Sequence, residues 1–480
     1  MSKFVKSSIW NLCANIFVRA LSLVTYPFLV RYFLKSDISI FKSFQSFIVI
    51  LIAIIPLGTK HLYISSPKDR KKERWNLAFY VSSFFAFFLI ILLSLNSKFL
   101  SFFLKDVTLQ HNYIFIFILV FLATIKTLAI TRLSSNMQFK EISIALMVKQ
   151  IVLYSIIITS SFKLPTLTIL FLALFITEVI ETCMLLIFMK VSKIQFLPSF
   201  GAKVFSIDKV SQKFIFFIGF EQIFNVLAQQ FPAIFVVFVM GKNLAPEFQL
   251  PLYAVSIPAS LIMVSVAKVI FPYISEIRDN EKIKTMLISL EFIITLIILP
   301  ILIGISFFSK EIVAILFDKS WTNAVIAFRF LPIMIIANVL NNPFTSIAAV
   351  KEKPHIIFIY SISLFLCRML SIFVGYKLLG FKGAILLFVF FDFFIRMIRL
   401  KIDTSLVKLK FSKFLLNLKN NFLAAAILFS VSILLFSTFQ NKLVSFIVGF
   451  IFYVFLSFKL EKERIAELVY KLKENISIKR

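Results

Sequence analysis

Long apolar runs separated by short polar ones dominate the chain. Most are long enough to cross a bilayer as a helix, which takes about 20 residues at 1.5 Å each. Read at that length, the pattern predicts about fourteen spans. Six lie near residues 8–33, 40–65, 76–95, 111–135, 142–162 and 166–189. A polar, partly amphipathic connection over 190–213 separates them from six more, near 213–239, 249–275, 285–309, 322–349, 355–376 and 381–399. A basic connector then leads to two further spans near 414–437 and 442–458. The expected fold class is therefore an all-α polytopic membrane protein. Its expected units are an N-terminal six-helix lobe (1–190), a cytoplasmic linker (191–212), a second six-helix lobe (213–400), a basic connector (401–413), two additional helices (414–458) and a basic cytoplasmic tail (459–480). In the tail, Leu460, Ile465, Leu468, Val469 and Leu472 share one helical face. That fits either an interfacial helix on the inner leaflet or a solvated helix held by intrahelical ion pairs.

Polar residues inside the apolar runs break the pattern in an ordered way. The first run carries Asn11, Asn15 and Arg19 at one-turn spacings, with Pro27 beyond them. A cation at mid-membrane costs about 2.5–3.5 kcal/mol on insertion scales, so Arg19 should face protein or water. The seventh run opens the second half in the same manner, with Glu221, Gln222, Asn225, Gln229 and Gln230 ahead of Pro232. Glu221, Asn225 and Gln229 are four apart and share a face. Two similar openings suggest two repeated bundles with a substrate between them.

Composition narrows the class. The chain has 480 residues, 60% of them hydrophobic, and a mean hydropathy of +0.97, which no soluble globular protein of this size shows. The net charge of +29 reads as Lys and Arg flanking membrane helices rather than as a nucleic-acid surface, since no RNA- or DNA-binding pattern accompanies it. With the N-terminus in the cytoplasm, basic residues favour the inner segments by roughly three to one, and an even span count puts the C-terminus inside too. The first run is too long for a cleavable signal and should remain as an anchor. Outer loops are short, leaving no room for an extracytoplasmic glycan polymerase. Cys13, Cys183 and Cys367 lie in apolar runs and are expected to be buried thiols; His61, His111 and His355 are isolated, and no metal or cofactor pattern appears.

No catalytic constellation is visible either, so the chain is not expected to be an enzyme. What remains are ionisable residues at membrane depth: Arg19, Lys126, Lys268, Arg329 and Arg368 against Glu178, Glu181, Glu221, Glu291 and Asp392. Arg19 fits either an anion contact in a cavity or an interhelical pair with Glu178. Lys126 could line the cavity or snorkel inward. Arg329 and Arg368 sit on adjacent helices of the second bundle. Asp392 and Arg396 at i, i+4 should pair within their helix, and Glu291 with Lys268 between helices. The tenth run adds Asn338, Asn341, Asn342, Thr345 and Ser346 around Pro343, suited to sugar hydroxyls or to interhelical hydrogen bonds.

Residues 310–383 carry an outer segment with Ile315, Phe317, Trp321 and Ala324, a long span, the small loop VKEKP, and a turn with Leu379, Gly380, Gly383 and Ala384. The N-terminal half carries Asn and Arg on the first span, Pro27 and Arg31 four apart, and PLG at 56–58. In order and spacing these resemble the polysaccharide (O-antigen) flippases of the multidrug/oligosaccharidyl-lipid/polysaccharide exporter superfamily. FVRALSL around Arg19 also looks like the first span of the related lipid II flippases, although Val24 stands where their next basic residue falls.

The resemblance implies two pseudo-symmetric six-helix bundles, MATE-like, that alternate access. It implies an undecaprenyl-diphosphate-linked oligosaccharide as cargo, in a bacterial cytoplasmic (inner) membrane, with other polysaccharide-assembly membrane proteins as partners. A diphosphate needs cations, so the expected substrate contacts are Arg19, Lys126, Arg329 and Arg368, with Asn225, Gln229, Asn338 and Asn342 for sugar. Glu178, Glu181 and Glu221 are the candidate carriers of a coupling H⁺ or Na⁺. The rival readings are a multidrug cation antiporter, whose relatives depend on acids in a bundle core, and a lipid II flippase.

Overall fold

The computed structural model describes residues 3–64, 66, 68–95, 113–198, 209–276, 280–318, 320–351 and 353–462. Every regular element among them is helical. The first group comprises α1 (Lys3–Tyr32), α2 (Lys35–Ile54), the short α3 (Thr59–Ile64), α4 (Lys71–Leu95), α5 (Tyr113–Ser135), α6 (Phe139–Ser161) and α7 (Leu167–Val191). The second comprises α8 (Lys209–Met240), α9 (Ala245–Glu276), α10 (Asn280–Phe307), the short α11 (Ser309–Leu316), α12 (Thr322–Asn341), the short α13 (Thr345–Val350) and α14 (Pro354–Leu406). Helices α15 (Phe411–Phe439) and α16 (Lys442–Leu460) follow. Twelve described helices are long and apolar enough to span a membrane. One of these, α14, is two helices joined at a kink, and the 32-residue α9 is a further long helix. The fourteen expected spans are thus all present among the described residues. The tail beyond residue 462 and the connection at 199–208 lie outside them.

The kink in α14 shows how sequence sets topology. Gly380 has φ 61° and ψ −146°, a region open essentially to glycine alone, and it reverses the chain without a loop. The two arms then pass so closely that a Cβ on Gly383 would lie 2.2 Å from the carbonyl oxygen of Gly375. Gly383→Val should therefore splay this hairpin; the expected result is loss of monodisperse protein in size-exclusion chromatography of the solubilised membrane fraction.

Within the first group α1 packs on α6, α5 on α7 and α4 on α5; within the second, α14 packs on α8 and α12, and α10 on α12. The groups meet mainly where α2 runs along α8, with a smaller contact between α1 and α9. Gly58 and Gly219 let the chain after α2 touch α8, since a Cβ on Gly58 would lie 2.9 Å from Gly219 N. Helices α15 and α16 pack on each other, and α15 also against α10. Phenylalanine does most of the filling: Phe44 meets Phe171 edge-on at 4.9 Å and Phe248 meets Phe388 at 5.3 Å, the favoured aromatic geometry. Other large apolar side chains, such as Phe84, Leu434 and Phe455, point outward as a lipid-facing surface. Cys13 and Cys183 do so as well and Cys367 is half-buried, so the thiols are not the buried groups the sequence suggested. In a bilayer an apolar run needs no protein cover, and burial does not follow from hydrophobicity.

Candidate functional site: a cationic cavity between the helix groups

One stripe of α1 carries Asn11, Asn15, Arg19, Ser22 and Tyr26 at three- and four-residue spacings, and its upper part lines a cavity of about 380 Å³. Helix α2 contributes Lys42, Gln45 and Ser46; α5 contributes Lys126; α6 contributes Lys149, Gln150 and Tyr154; α7 contributes Glu178. The second group closes the space with Gln230 of α8 and Tyr253 and Ser256 of α9. The cavity therefore straddles both groups, at mid-length of the helices.

Its charges fall into two sets. Lys126 and Lys149 face Glu178 and Glu181: Lys126 bonds Glu178 and lies 3.2 Å from Glu181, and Lys149 lies 2.5 Å from Glu178 and 2.8 Å from Glu181. Two cations meet two carboxylates, so this quartet is self-compensated and ties α5, α6 and α7 together. Arg19 and Lys42 have no carboxylate partner among the described residues. Arg19 is half-buried on the cavity wall. The Lys42 ammonium is buried, 3.3 Å from the Gln45 amide oxygen and over the rings of Tyr26 (5.5 Å) and Tyr253 (5.9 Å). Ring faces attract a cation without neutralising it. The cavity thus holds two uncompensated positive charges, and its remaining polar atoms are amides and hydroxyls: Ser46 Oγ lies 2.9 Å from Tyr253 Oη, which is 3.4 Å from Gln230 Oε1.

The end of the cavity at the α1–α2 turn is shut. Lys35 pairs with Glu247 at 2.8 Å, donates to Ser320 O at 2.9 Å and lies over Trp321 at 5.0 Å. The other oxygen of Glu247 accepts from the backbone N–H groups of Asn323 (2.8 Å) and Ala324 (3.2 Å), where α12 begins, a position that favours an anion. Arg31 Nη2 adds a bond to Ile315 O at 3.2 Å. Deeper in, Gln249 Nε2 donates to Ser43 Oγ (3.1 Å) and Ala233 O (2.6 Å), stitching α9, α2 and α8. At the opposite end, His61 meets Gln222.

A family model described as "Polysaccharide biosynthesis protein" matches residues 14–326, which include every residue lining this cavity. The chain belongs to that family. Among curated relatives, "Lipopolysaccharide biosynthesis protein WzxC" of Escherichia coli (strain K12) is 21% identical over 167 residues, 35% of this chain and 34% of that protein. The matched stretch thus spans about a third of that relative's length. Among solved structures, the lipid II flippase MurJ in an inward closed conformation superposes with a TM-score of 0.73 at 16% identity, covering 95% of this chain and all of that one. An inward-facing multidrug resistance MATE transporter of the MOP superfamily gives 0.62 at 14%, covering 85% and 95%. These likenesses establish the fold: two bundles in the MOP arrangement.

Against this family frame the expected site residues divide. Arg19, Lys126 and Glu178 line the cavity, with Glu181 behind them in the quartet; Arg19 does not pair with Glu178, which the two lysines occupy. Asn225 and Gln229 bond each other at 2.9 Å one turn below the cavity, and Gln230, on the adjacent face, lines it instead. Glu221 lies lower on α8, 3.5 Å from Ser361 Oγ. Arg329 is exposed on α12, where its carbonyl accepts from Ser306, and does not reach the cavity. Arg368 does not line the cavity either, and its surroundings show why. Its guanidinium is buried, 2.6 Å from Asp392 and 2.5 Å from Ala228 O. Asp392 also takes Arg396 at 2.6 Å, as the i, i+4 spacing suggested, and Arg396 reaches Asn338 Oδ1 at 2.8 Å. Asn338 is therefore spent on this network, and Asn342 sits in a 3₁₀ turn, neither of them in the cavity. The expected Glu291–Lys268 pair turns on a lysine side chain outside the described residues, and among those described neither carboxylate oxygen of Glu291 has a hydrogen-bond partner.

Lys42 and Lys149 escape a reading by depth alone. Lys42 stands seven residues into α2 and reads as a flanking charge; Lys149 is at mid-length of α6, and its depth does not reveal that Glu178 and Glu181 meet it from α7. The available signal was companionship: Lys42, Gln45 and Ser46 share one face, and Gln150 follows Lys149.

Proposed function

We propose that the protein is a flippase that moves an undecaprenyl-diphosphate-linked oligosaccharide, a surface-polysaccharide or O-antigen repeat unit, from the inner to the outer leaflet by alternating access. The observation that carries this reading is the pair of uncompensated cations, Arg19 and Lys42, in a mid-bundle cavity whose other polar groups are amides, hydroxyls and the self-compensated lysine–glutamate quartet. A diphosphate supplies the missing negative charge, and charge-assisted hydrogen bonds to it are the strong kind. Gln45, Ser46, Gln150, Gln230 and Tyr253 offer the sugar both donors and acceptors. The sign of the cavity argues against a cationic drug as cargo.

In this reading the two helix groups are lobes (1–190 and 213–400) that rock about the cavity in a bacterial cytoplasmic membrane, with both termini in the cytoplasm. The Lys35–Glu247 latch then closes the outer end. A predominantly apolar groove of about 560 Å³ between α10 and α16, lined by Pro300, Ile301, Phe446 and Phe450 among others, is suited to the polyprenyl tail. A membrane potential negative inside favours outward movement of the anionic head by about 2.3 kcal/mol per charge per 100 mV. Glu178 and Glu181 serve as counter-charges to Lys126 and Lys149 rather than as ion carriers, which leaves Glu221 of the expected set as a carrier of H⁺ or Na⁺.

Deletion of the gene tests the proposal. The expected result is loss of one surface glycan with its lipid-linked repeat unit accumulating in the inner leaflet, read by glycan staining and by mass spectrometry of extracted lipid. Normal glycan with heightened drug sensitivity would instead favour the antiporter; lethality with cell-wall failure would favour the lipid II flippase.

A further inference from the structure

Where α10 meets α15, well away from the cavity, the interior holds a surplus of hydrogen-bond acceptors. Glu291 is fully enclosed, and neither of its carboxylate oxygens has a partner. Asn421 on α15 is buried too. Its amide nitrogen donates to Phe292 O (3.0 Å) and Thr295 Oγ1 (2.8 Å), which leaves its Oδ1 without a donor. The Thr295 hydroxyl, four residues after Glu291 and on its face, gives its own proton to the Glu291 carbonyl at 2.6 Å and is not available to the carboxylate. Three orphaned acceptors therefore share one helix seam, with apolar clusters on either side, Leu287 and Leu418 on one and Leu299 and Ala425 on the other.

The charged groups on the surrounding helices do not answer Glu291. On α12 and α14, Asn338 and Arg396 are engaged with each other and with Asp392. On α15, Lys413 and Lys419 are exposed; on α10 itself, Lys284 pairs with Glu281 and Lys282 is exposed. Lys310, Glu311 and Lys442 sit at the far end, the last two paired with each other. The side chain of Lys268 on α9 lies outside the described residues, and no cation compensates Glu291 among those described. A buried carboxylate left in that state costs more free energy than a folded helix seam can absorb, so something must supply positive charge or a donor.

We propose that this seam is a monovalent-cation site, in which H⁺ or Na⁺ sits between the Glu291 carboxylate and the amide oxygen of Asn421. The chemistry of the two side chains suits either cation: a protonated Glu291 has an O–H to donate to an amide oxygen such as Asn421 Oδ1, and a sodium ion takes carboxylate and amide oxygens alike. The bound cation clamps α10 to α15. Five residues further along α10, Leu296 O accepts from Tyr453 Oη at 2.7 Å, at the rim of the apolar groove between α10 and α16. Occupancy of the seam thus fixes one wall of that groove. The inference rests on burial and hydrogen bonding and stands whatever cargo the cavity takes.

The test is the unfolding midpoint of the purified full-length protein in detergent, in NaCl against choline chloride at equal ionic strength, and from roughly pH 6 to 8, where buried carboxyls titrate. A ligand bound only by the folded state raises the midpoint as its concentration rises. A sodium site gives a midpoint higher in NaCl than in choline; a proton site gives a midpoint that rises as pH falls in sodium-free buffer. In Glu291→Gln the side-chain amide donates to Asn421 Oδ1 in place of the cation. This variant is expected to fold and to lose the response the wild type shows, and Asn421→Ala to weaken it. A wild-type midpoint indifferent to both sodium and pH, or a Glu291→Gln variant that keeps the full response, would overturn the proposal.

Discussion

Replacing Arg19 and Lys42 together by alanine is expected to abolish surface-glycan delivery while the protein still reaches the membrane. Neither side chain pairs with a carboxylate among the described residues, so truncation breaks no ion pair and strands no buried charge. The fold should survive, because the quartet of Lys126, Lys149, Glu178 and Glu181 remains self-compensated. The loss falls on the bound anion. A hydrogen bond to a charged group contributes about 1.5–3 kcal/mol, so each single substitution should weaken binding about 10- to 100-fold. Arg19→Lys and Lys42→Arg, which keep the charge, should retain part of the activity. Complementation of a deletion strain, with membrane levels checked by immunoblot, measures the effect. Full glycan delivery by the double variant would show that these cations do not contact the cargo.

The second large effect is expected at Asp392 and is one of stability. Its carboxylate is fully buried between Arg368 and Arg396, and Arg368 also holds the Ala228 carbonyl of α8. Asp392→Ala leaves two guanidinium groups buried without their counter-charge. Breaking a buried pair by removing one partner costs about 3–5 kcal/mol, a large fraction of the stability of a domain. The expected result is little or no monodisperse protein after extraction and a markedly lower unfolding midpoint in what remains. The triple variant Arg368→Met, Asp392→Ala, Arg396→Met removes charge and counter-charge together and should recover much of the loss. Were Asp392→Ala as stable as the wild type, the network would have no structural role and Arg368 would return as a candidate for the cargo.

These two outcomes separate residues that look alike in the sequence. Arg19 and Arg368 are both arginines in apolar runs, each with a nearby polar residue on its own helix. Both were expected to contact substrate; Arg19 lines the cavity, whereas Arg368 pairs with Asp392, 24 residues from it in sequence and 2.6 Å from it in space. The sequence offered Arg19 as a partner for Glu178, and the packing of α5 and α6 on α7 gave it to Lys126 and Lys149 instead. Gln229 and Gln230 differ by one position, about 100° around a helix, and only one faces the cavity.

The sequence by itself determined the number of spans, the reversal at Gly380, the i, i+4 pair of Asp392 and Arg396, and the stripe of α1 that faces inward. Each of these is local: span length follows from bilayer thickness, a positive φ requires glycine, and residues four apart share a helical face. Tertiary structure alone decided which cations are compensated, that Lys42 and Lys149 belong to the cavity, and that Glu291 has no partner among the described residues. Those facts depend on which helix faces come together, and in a membrane the apolar surface of a helix is served equally well by lipid or by protein. Hydropathy therefore fixes that a helix spans and says little about which way it faces; the net sign of the cavity, on which the proposed cargo rests, was set only when the helices packed.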